Sequence, residues 1–379
     1  MNLGNQRELF EIPEGVAYLN CAYMSPQLRA VREVGEKAVR RKSRPWESTP
    51  KDFFEDSETA RALFAELVGG EADGVAIVPS VSYGMAVAAA NVPVETGQNV
   101  VLLEEQFPSN VYPWLELAKR CGAGITIVPR PADHHWTEAL LERVDRETAI
   151  VAVPNCHWTD GSLVNLVRVG KRAREVGAAF VVDAIQSLGA YPLDVKEVQP
   201  DFLVASSYKW LLGPYGIGFM YVGEKWREGA PIEHNWINRE GSEDFSRLVE
   251  YETAFQPGAR RFDVGERSNF VLLPMAIAAL CQILDWGVAN IAETLSGLTA
   301  HIEDEARELE MEVVPAGKRA GHLIGLKLDS GAPEDLAARL MNENVFVSVR
   351  GRALRVSPHL YNTHGDVERL FEWLAWHVG

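Results

Sequence analysis

The chain is short of cysteine and of positive charge, and it has no long apolar run. Its 379 residues include four cysteines, at 21, 121, 156 and 281. None forms a Cys-x-x-Cys pair or a zinc-type spacing, which argues against a disulfide framework and a cysteine metal site, and no metal is expected. They read as small buried hydrophobes in a reducing compartment. Lysine and arginine number 37 against 53 acidic residues, a formal charge of −16. Nucleic-acid phosphates and anionic membrane surfaces would be repelled, so neither is an expected partner. No apolar run reaches the length of a membrane span, and the first residues hold no apolar core of signal length; the expected location is the cytoplasm. No Gly-x-Gly-x-x-Gly follows the first strand, which disfavours a nicotinamide enzyme.

Hydrophobic residues make up 47% of the chain, enough for a sizeable core. From Val75 onward short apolar runs alternate with helical patterns: Val75-Ala-Ile-Val78, Val100-Val-Leu-Leu103, Ile125-Thr-Ile-Val128, Ile150-Val-Ala-Val153, Phe180-Val-Val182, Phe202-Leu-Val-Ala205 and a run at 217–222. Nearly all-apolar strands in β–α alternation predict an α/β fold with a seven-stranded, mostly parallel sheet covered on both faces. An N-terminal arm is expected at 1–15, a large domain at 16–257 and a smaller α+β domain at 258–379, the last with a strand at 321–328 and a helix at 333–341. In such sheets ligands bind beyond the carboxyl ends of the strands, where the distinctive polar residues of this chain stand.

Two strand ends carry the chemistry. Asp183 follows Val181-Val182, and Lys209 follows Ser206-Ser207-Tyr208. A lysine between an apolar strand and Trp210-Leu211-Leu212 has a lowered pKa and is a nucleophile fit for a Schiff base; an acid near it can hold a pyridinium nitrogen. That pair points to pyridoxal 5′-phosphate, with Lys209 also moving the substrate α-proton. Gln186 can meet the cofactor's phenolic oxygen. The stretch Pro79-Ser-Val-Ser-Tyr-Gly84 opens a helix, so Val81 and Ser82 offer a phosphate site. Ser206 and Tyr208 are further phosphate donors, and Phe107 can stack on the ring. Arg355, in an apolar strand, needs an anion such as a substrate carboxylate; Arg350 and Arg352 precede it in an exposed-looking turn and carry less weight. Each residue also has an ordinary reading: a turn-forming Asp183, a plainly capped helix at 80–84, a packed Phe107, an ion-paired Arg355.

With these residues in place the chain resembles the class V aminotransferase group of fold-type I pyridoxal phosphate enzymes, which includes cysteine desulfurases, kynureninases and isopenicillin N epimerase-like proteins. The resemblance spans about 15–375 and is most specific at Asp183-Ala-Ile-Gln186, Ser206-Ser-Tyr-Lys209 and Gly213-Pro-Tyr-Gly-Ile-Gly218, with Tyr18-Leu-Asn20 and the stretch from Arg355 to Thr363 resembling the family's ends. It implies that Lys209 carries the cofactor, that Asp183 pairs with its ring nitrogen, and that Arg355, with Asn20, binds the substrate. It also implies a homodimer in which Ser268, Asn269 and Trp236 reach the partner's phosphate. Tyr208 and Phe107 look like their kynureninase counterparts, where desulfurases place histidines. The loop Arg350-Gly-Arg-Ala-Leu354 lacks the mobile cysteine of desulfurases, so persulfide chemistry is not expected, and Trp158 takes a place where relatives hold an asparagine. The expected function is an aminotransferase acting on a small amino acid. The alternatives are a kynureninase-like hydrolase or β-lyase, an epimerase, and a fold relative without turnover.

Overall fold

In the computed structural model residues 2–327, 333 and 335–377 are described; Leu328 and Glu334, expected in a strand and a helix, lie outside the described residues. The chain opens with β1 (Ala17–Tyr18), α1 (Arg29–Lys42) and α2 (Glu55–Leu67). Then β2 (Val75–Val78), α3 (Val81–Asn91), β3 (Asn99–Leu103), α4 (Tyr112–Cys121), β4 (Gly124–Val128), α5 (Trp136–Arg143) and β5 (Thr148–Pro154) alternate. They are followed by α6 (Leu166–Val176), β6 (Ala179–Asp183), α7 (Val195–Val198), β7 (Phe202–Ser206) and β8 (Gly218–Val222). The seven expected strands form one sheet in the order β2-β8-β7-β6-β5-β3-β4, and β8 alone runs antiparallel to its neighbours.

Alternate residues of these strands feed two apolar layers. Val101, Val151, Val182 and Phe219 enter one; Val100, Ile150, Val181 and Met220 enter the other. Burial on both faces is why the strands read as continuous apolar runs. Helices begin and end where the sequence supplies caps: Ser80 Oγ accepts from the Tyr83 amide (3.2 Å) and Asn165 Oδ1 from the Arg168 amide (3.1 Å), while left-handed Gly122 and Gly177 close α4 and α6. Gly84 lets α3 lie on the sheet, since a Cβ there would stand 2.7 Å from the Val204 side chain.

The remaining elements are α8 (Leu272–Trp286), α9 (Val288–Glu308), β9 (Glu312–Val313), β10 (Ile324–Lys327), α10 (Leu336–Asn342), β11 (Val345–Phe346), β12 (Ser348–Arg350), β13 (Ala353–Val356) and α11 (His364–His377). A second sheet runs β12-β13-β10-β9, and β1 pairs with β11. The expected boundary at 258 does not coincide with a change of core. Leu273, Ala276, Ala279 and Ile283 of α8 pack with Val31, Ala60 and Phe64 in the first layer. The second core gathers Leu298, Ile302, Ile324, Leu354 and Leu370 with Ala17 and Leu19 from the chain's beginning. An apolar helix reads the same whichever core it joins, so the sequence does not assign it. No single described helix is long and apolar enough to cross a membrane.

Candidate active site

Strand register brings the polar residues to one edge of the sheet. Val78 pairs with Gly218, and Gly218 with Ser206, so the start of α3 and the segment leading to Lys209 leave from one row. Asp183 pairs with Val204 on one side and Pro154 on the other. Phe107 follows the end of β3 at the same edge. The loop after Asp183 passes tightly under Trp210: Gly189 has φ of +100°, and any side chain there would strike the Trp210 carbonyl.

Lys209 and Asp183 are both buried, 5% and 4% exposed. No hydrogen bond joins them; one Asp183 oxygen accepts from the Ile185 amide at 3.1 Å. Burial pushes the Asp183 carboxyl up to about 6, against the Ile185 bond and the Lys209 charge that draw it down. Burial, then Arg355, pushes the Lys209 amine down to about 7, with Asp183 opposing. Desolvation therefore outweighs their attraction at both groups, and a share of Lys209 is neutral and nucleophilic at neutral pH. Its Nζ stands 5.5 Å from the ring centroids of both Phe107 and Tyr208. The Tyr208 hydroxyl is pushed up to about 12 by burial and stays protonated.

Behind Phe107 stands Trp158, edge-on with ring centroids 5.3 Å apart, its indole N–H donating to the Glu105 carbonyl at 2.6 Å. The Trp158 carbonyl accepts from Arg355 Nη1 at 2.9 Å. Arg355 is 1% exposed, its Nε has no partner, and no described carboxylate meets it. Burial, then Arg350, pushes it down to about 9. An unpaired buried guanidinium is costly and calls for an anion. The Asn20 side chain is engaged by the protein: its amide donates to the Val347 carbonyl (3.3 Å) and its oxygen accepts from Ser348 Oγ (2.9 Å), which ties it to the strand leading to Arg350.

Gln186 is held more fully than the sequence indicates. Its amide donates to the Ala22 carbonyl (3.2 Å) and its oxygen accepts the Trp210 indole N–H (3.0 Å). Trp210 in turn packs on His322 and His359, with centroids at 4.4 and 6.0 Å. Neither histidine is foreseen as part of the support, because each arrives from a distant segment and carries no local pattern. His322 Nε2 pairs with the Gln186 carbonyl at 2.6 Å, whereas His359 has no partner at either ring nitrogen. Burial pushes them down to about 4 and about 3. These folded values lie below the unfolded value near 6.5, so the unfolded chain takes up protons that the folded chain refuses as pH falls below about 6.5. Each histidine then removes ~1 kcal/mol of stability per pH unit between about pH 6 and 4. Asp183, raised to about 6 without cofactor, binds its proton more tightly when folded and offsets about one of the two. Urea unfolding of the apoprotein at pH 7 and 5 is expected to show this loss, and a shallower one in His359→Phe; equal slopes would remove the histidines from acid lability.

The remaining expected residues divide. Val81 and Ser82 form the first turn of α3, after Ser80, and Ser80 Oγ lies 2.9 Å from Ser82 Oγ. First-turn amides lack intrahelical acceptors and, with the helix dipole, suit a phosphate. Ser206 is buried at the end of β7. Trp236 and Asn269 do not join this cluster within the chain. Trp236 packs on Phe53, Phe54 and Phe245, and the Asn269 side chain accepts from the Val271 and Leu272 amides at the start of α8.

Pyridoxal phosphate fits these residues. Asp183 has an oxygen with no protein donor for a pyridinium N–H, Lys209 a partly neutral amine for the aldehyde, Phe107 a ring face beside it, and α3 a helix start for the phosphate.

Comparison with known proteins agrees. Residues 39–370 match the family model described as aminotransferase class-V. The chain is 29% identical over 328 residues to the uncharacterized aminotransferase YcbU of Bacillus subtilis, covering 86% of this chain and 85% of that one. It is 30% identical over 330 residues to a probable cysteine desulfurase of Pyrococcus abyssi, covering 82% and 80%. Among solved structures, the apo cysteine desulfurase of Thermococcus onnurineus superposes with a TM-score of 0.82 at 20% identity, covering 100% and 99% of the two chains. A C-DES variant with glycine covalently linked to its pyridoxal phosphate superposes with a TM-score of 0.88 at 16% identity, covering 99% and 100%. The family model over most of the chain makes this protein a pyridoxal phosphate-dependent enzyme that belongs to the class V aminotransferase family.

Proposed function

We propose that the enzyme is an aminotransferase acting on a small amino acid. The observation that carries this reading is a buried lysine, Lys209, whose amine is pushed down, near a buried guanidinium, Arg355, that has no described carboxylate partner. Bound cofactor supplies an electron sink for the charge left when the substrate α-proton departs. Arg355 holds the α-carboxylate by charge and fork geometry, which fixes the α-carbon. Lys209 Nζ would take the α-proton and give it back. Asp183 keeps a proton on the ring nitrogen. Phe107 and Trp158, edge-on to one another, would form one wall of the site.

The surroundings disfavour the other outcomes. Desulfuration needs a thiolate, yet Cys21 and Cys156 are buried with thiols pushed far up by burial, and the 350–354 loop holds no cysteine. Epimerisation by two carriers needs a second proton-transferring side chain, and the ring beside Lys209 at Phe107 carries no titratable group. A kynureninase-like hydrolase or β-lyase is the second reading: Lys209 alone also serves a leaving group that departs without acid help, and a solved C-DES complex is described as a cystine C–S lyase with its product cysteine persulfide. A homodimer belongs to the same proposal. Trp236, Leu248, Val249 and Tyr251 form an exposed apolar stretch in the 223–256 connection, which suits a partner subunit better than water.

The test is a product assay. Holoenzyme mixed with single amino acids should release the matching 2-oxo acid and leave the cofactor as its amine form, with no sulfide or alanine. Release of pyruvate and a free leaving group, or of alanine, would promote the second reading. Arg355→Ala is expected to raise KM at least ~10²-fold for every substrate while the bound-cofactor absorption persists; an unchanged KM would take Arg355 out of the site.

A further inference from the structure

With a substrate α-carboxylate on Arg355, a second guanidinium beside it remains free. Arg350 ends β12, and its guanidinium carbon lies 5.8 Å from the Trp158 ring centroid. Arg355 holds the carbonyl of that same Trp158, so the two arginines flank one residue. Arg350 is half-buried and donates to the Val349 carbonyl at 2.8 Å; no described carboxylate pairs with it. Burial lowers it, and it is itself among the charges that push Arg355 and Lys209 down. Two such cations side by side call for two anions, or for a single anion large enough to meet both.

The space beyond Arg350 separates these options. A cavity of about 330 Å³ opens there, its charged lining Glu105, Arg130, Asp160, Glu312, Lys327, Arg350 and Arg352. Its acids are already taken. Arg130 pairs with Asp160 and, at 2.9 Å, with Glu105; Lys327 pairs with Glu312 at 2.6 Å. Arg350 and Arg352 stay unmatched among the described residues. Arg355 is buried and does not line this cavity, whereas Arg350 does. A single carboxylate on Arg355 would leave that volume and its charge unused.

We propose that Arg350 forms a second anion subsite, and that the amino acid this enzyme takes carries a carboxylate or comparable anionic group at the end of its side chain. The proposal rests on reading the site as one for amino acids. It assigns the hairpin turn at 350–352 the choice of substrate, with Arg355 common to all substrates and Arg350 selecting among them.

The test is a ratio. For the wild-type holoenzyme, kcat/KM for L-glutamate over L-glutamine, and for L-aspartate over L-asparagine, is expected to favour the acid in at least one pair by about a hundredfold, the scale on which a built polar site rejects an isostere lacking its partner group. In Arg350→Gln the ratio should collapse toward parity. A merely structural role would lower both members together and leave the ratio intact. Should Arg350→Gln fold poorly, Arg350→Lys keeps the charge without the fork, and about a tenfold fall in the ratio is expected. A binding arm uses succinate against butanoate, followed by displacement of the cofactor absorption or by calorimetry: succinate should bind tighter, and the difference should vanish in Arg350→Gln. No preference in the wild type, or a preference that survives the substitution, overturns the proposal. Turnover of amino acids without discrimination would refute the subsite and leave the aminotransferase reading standing. Arg350-dependent succinate binding without turnover of any amino acid would do the reverse.

Discussion

Lys209→Ala is expected to abolish both the colour and the catalysis of the holoenzyme. The purified wild type should absorb near about 420 nm from the imine between a lysine and the cofactor aldehyde; the variant should lack that band while still taking up cofactor without a covalent link. Borohydride should fix cofactor to the wild type and not to the variant. Turnover should fall on the order of 10⁴-fold, because the proton carrier and the covalent attachment go together. Added small primary amines should restore part of the rate, since they can occupy the vacated volume and move the same proton. The fold should tolerate the change. Lys209 is 5% exposed and pushed down to about 7, so its charged form is held in the native state at a cost that its removal relieves. The lost methylenes oppose this, and the apoprotein Tm should stay within a few degrees. A variant that keeps its band, or one whose activity loss is matched by unfolding at assay temperature, would count against Lys209 as the carrier.

How much of this was legible before the structure follows from what each signal depends on. The sheet was legible because strands buried on two faces leave uninterrupted apolar runs, and Asp183 and Lys209 were legible because each interrupts such a run at its end. Strand order was not, since β8 turns back antiparallel between β2 and β7 on pairing alone. The membership of α8 escaped for the reason given by its composition: an apolar helix says that it is buried and not by what. In the site, Arg355 stood out as a charge in an apolar strand. Arg350 did not, because in sequence it looks like any turn arginine, and its lack of a carboxylate partner is a fact of three dimensions. His322 and His359 carried no signal, being placed behind Trp210 by segments far from it in the chain. Trp236 and Asn269 make their contacts outside the cluster, and a role for them at a phosphate belongs with the proposed second subunit.

Asp183→Asn carries the other large effect, and its pH dependence gives it a distinctive signature. The carboxylate's task is to keep a proton on the cofactor ring nitrogen, which makes the ring a strong electron acceptor. An amide of the same shape cannot stabilise that charge, and kcat is expected to fall on the order of 10³-fold, with the larger loss in kcat rather than KM. The apoprotein offers an independent check. Burial holds the Asp183 carboxyl at about 6 when no ring is present. A cationic ring nitrogen favours the ionised carboxylate, so bound cofactor lowers that value and binding is coupled to loss of the proton. Cofactor affinity for the apoprotein should therefore be flat above about pH 6.5 and weaken as pH falls through about 6, by up to tenfold per unit. Lys209, at about 7, titrates close by and could mask this, because a protonated amine does not add to the aldehyde. The Lys209→Ala background removes that difficulty, since binding there is non-covalent and Asp183 is the buried acid beside the ring. In that background the drop below pH 6 should persist, and in Lys209→Ala with Asp183→Asn it should disappear along with much of the affinity. A pH profile unchanged by the asparagine would mean that Asp183 does not face the ring nitrogen, and with it the electron-sink arrangement at the end of β6 would have to be abandoned.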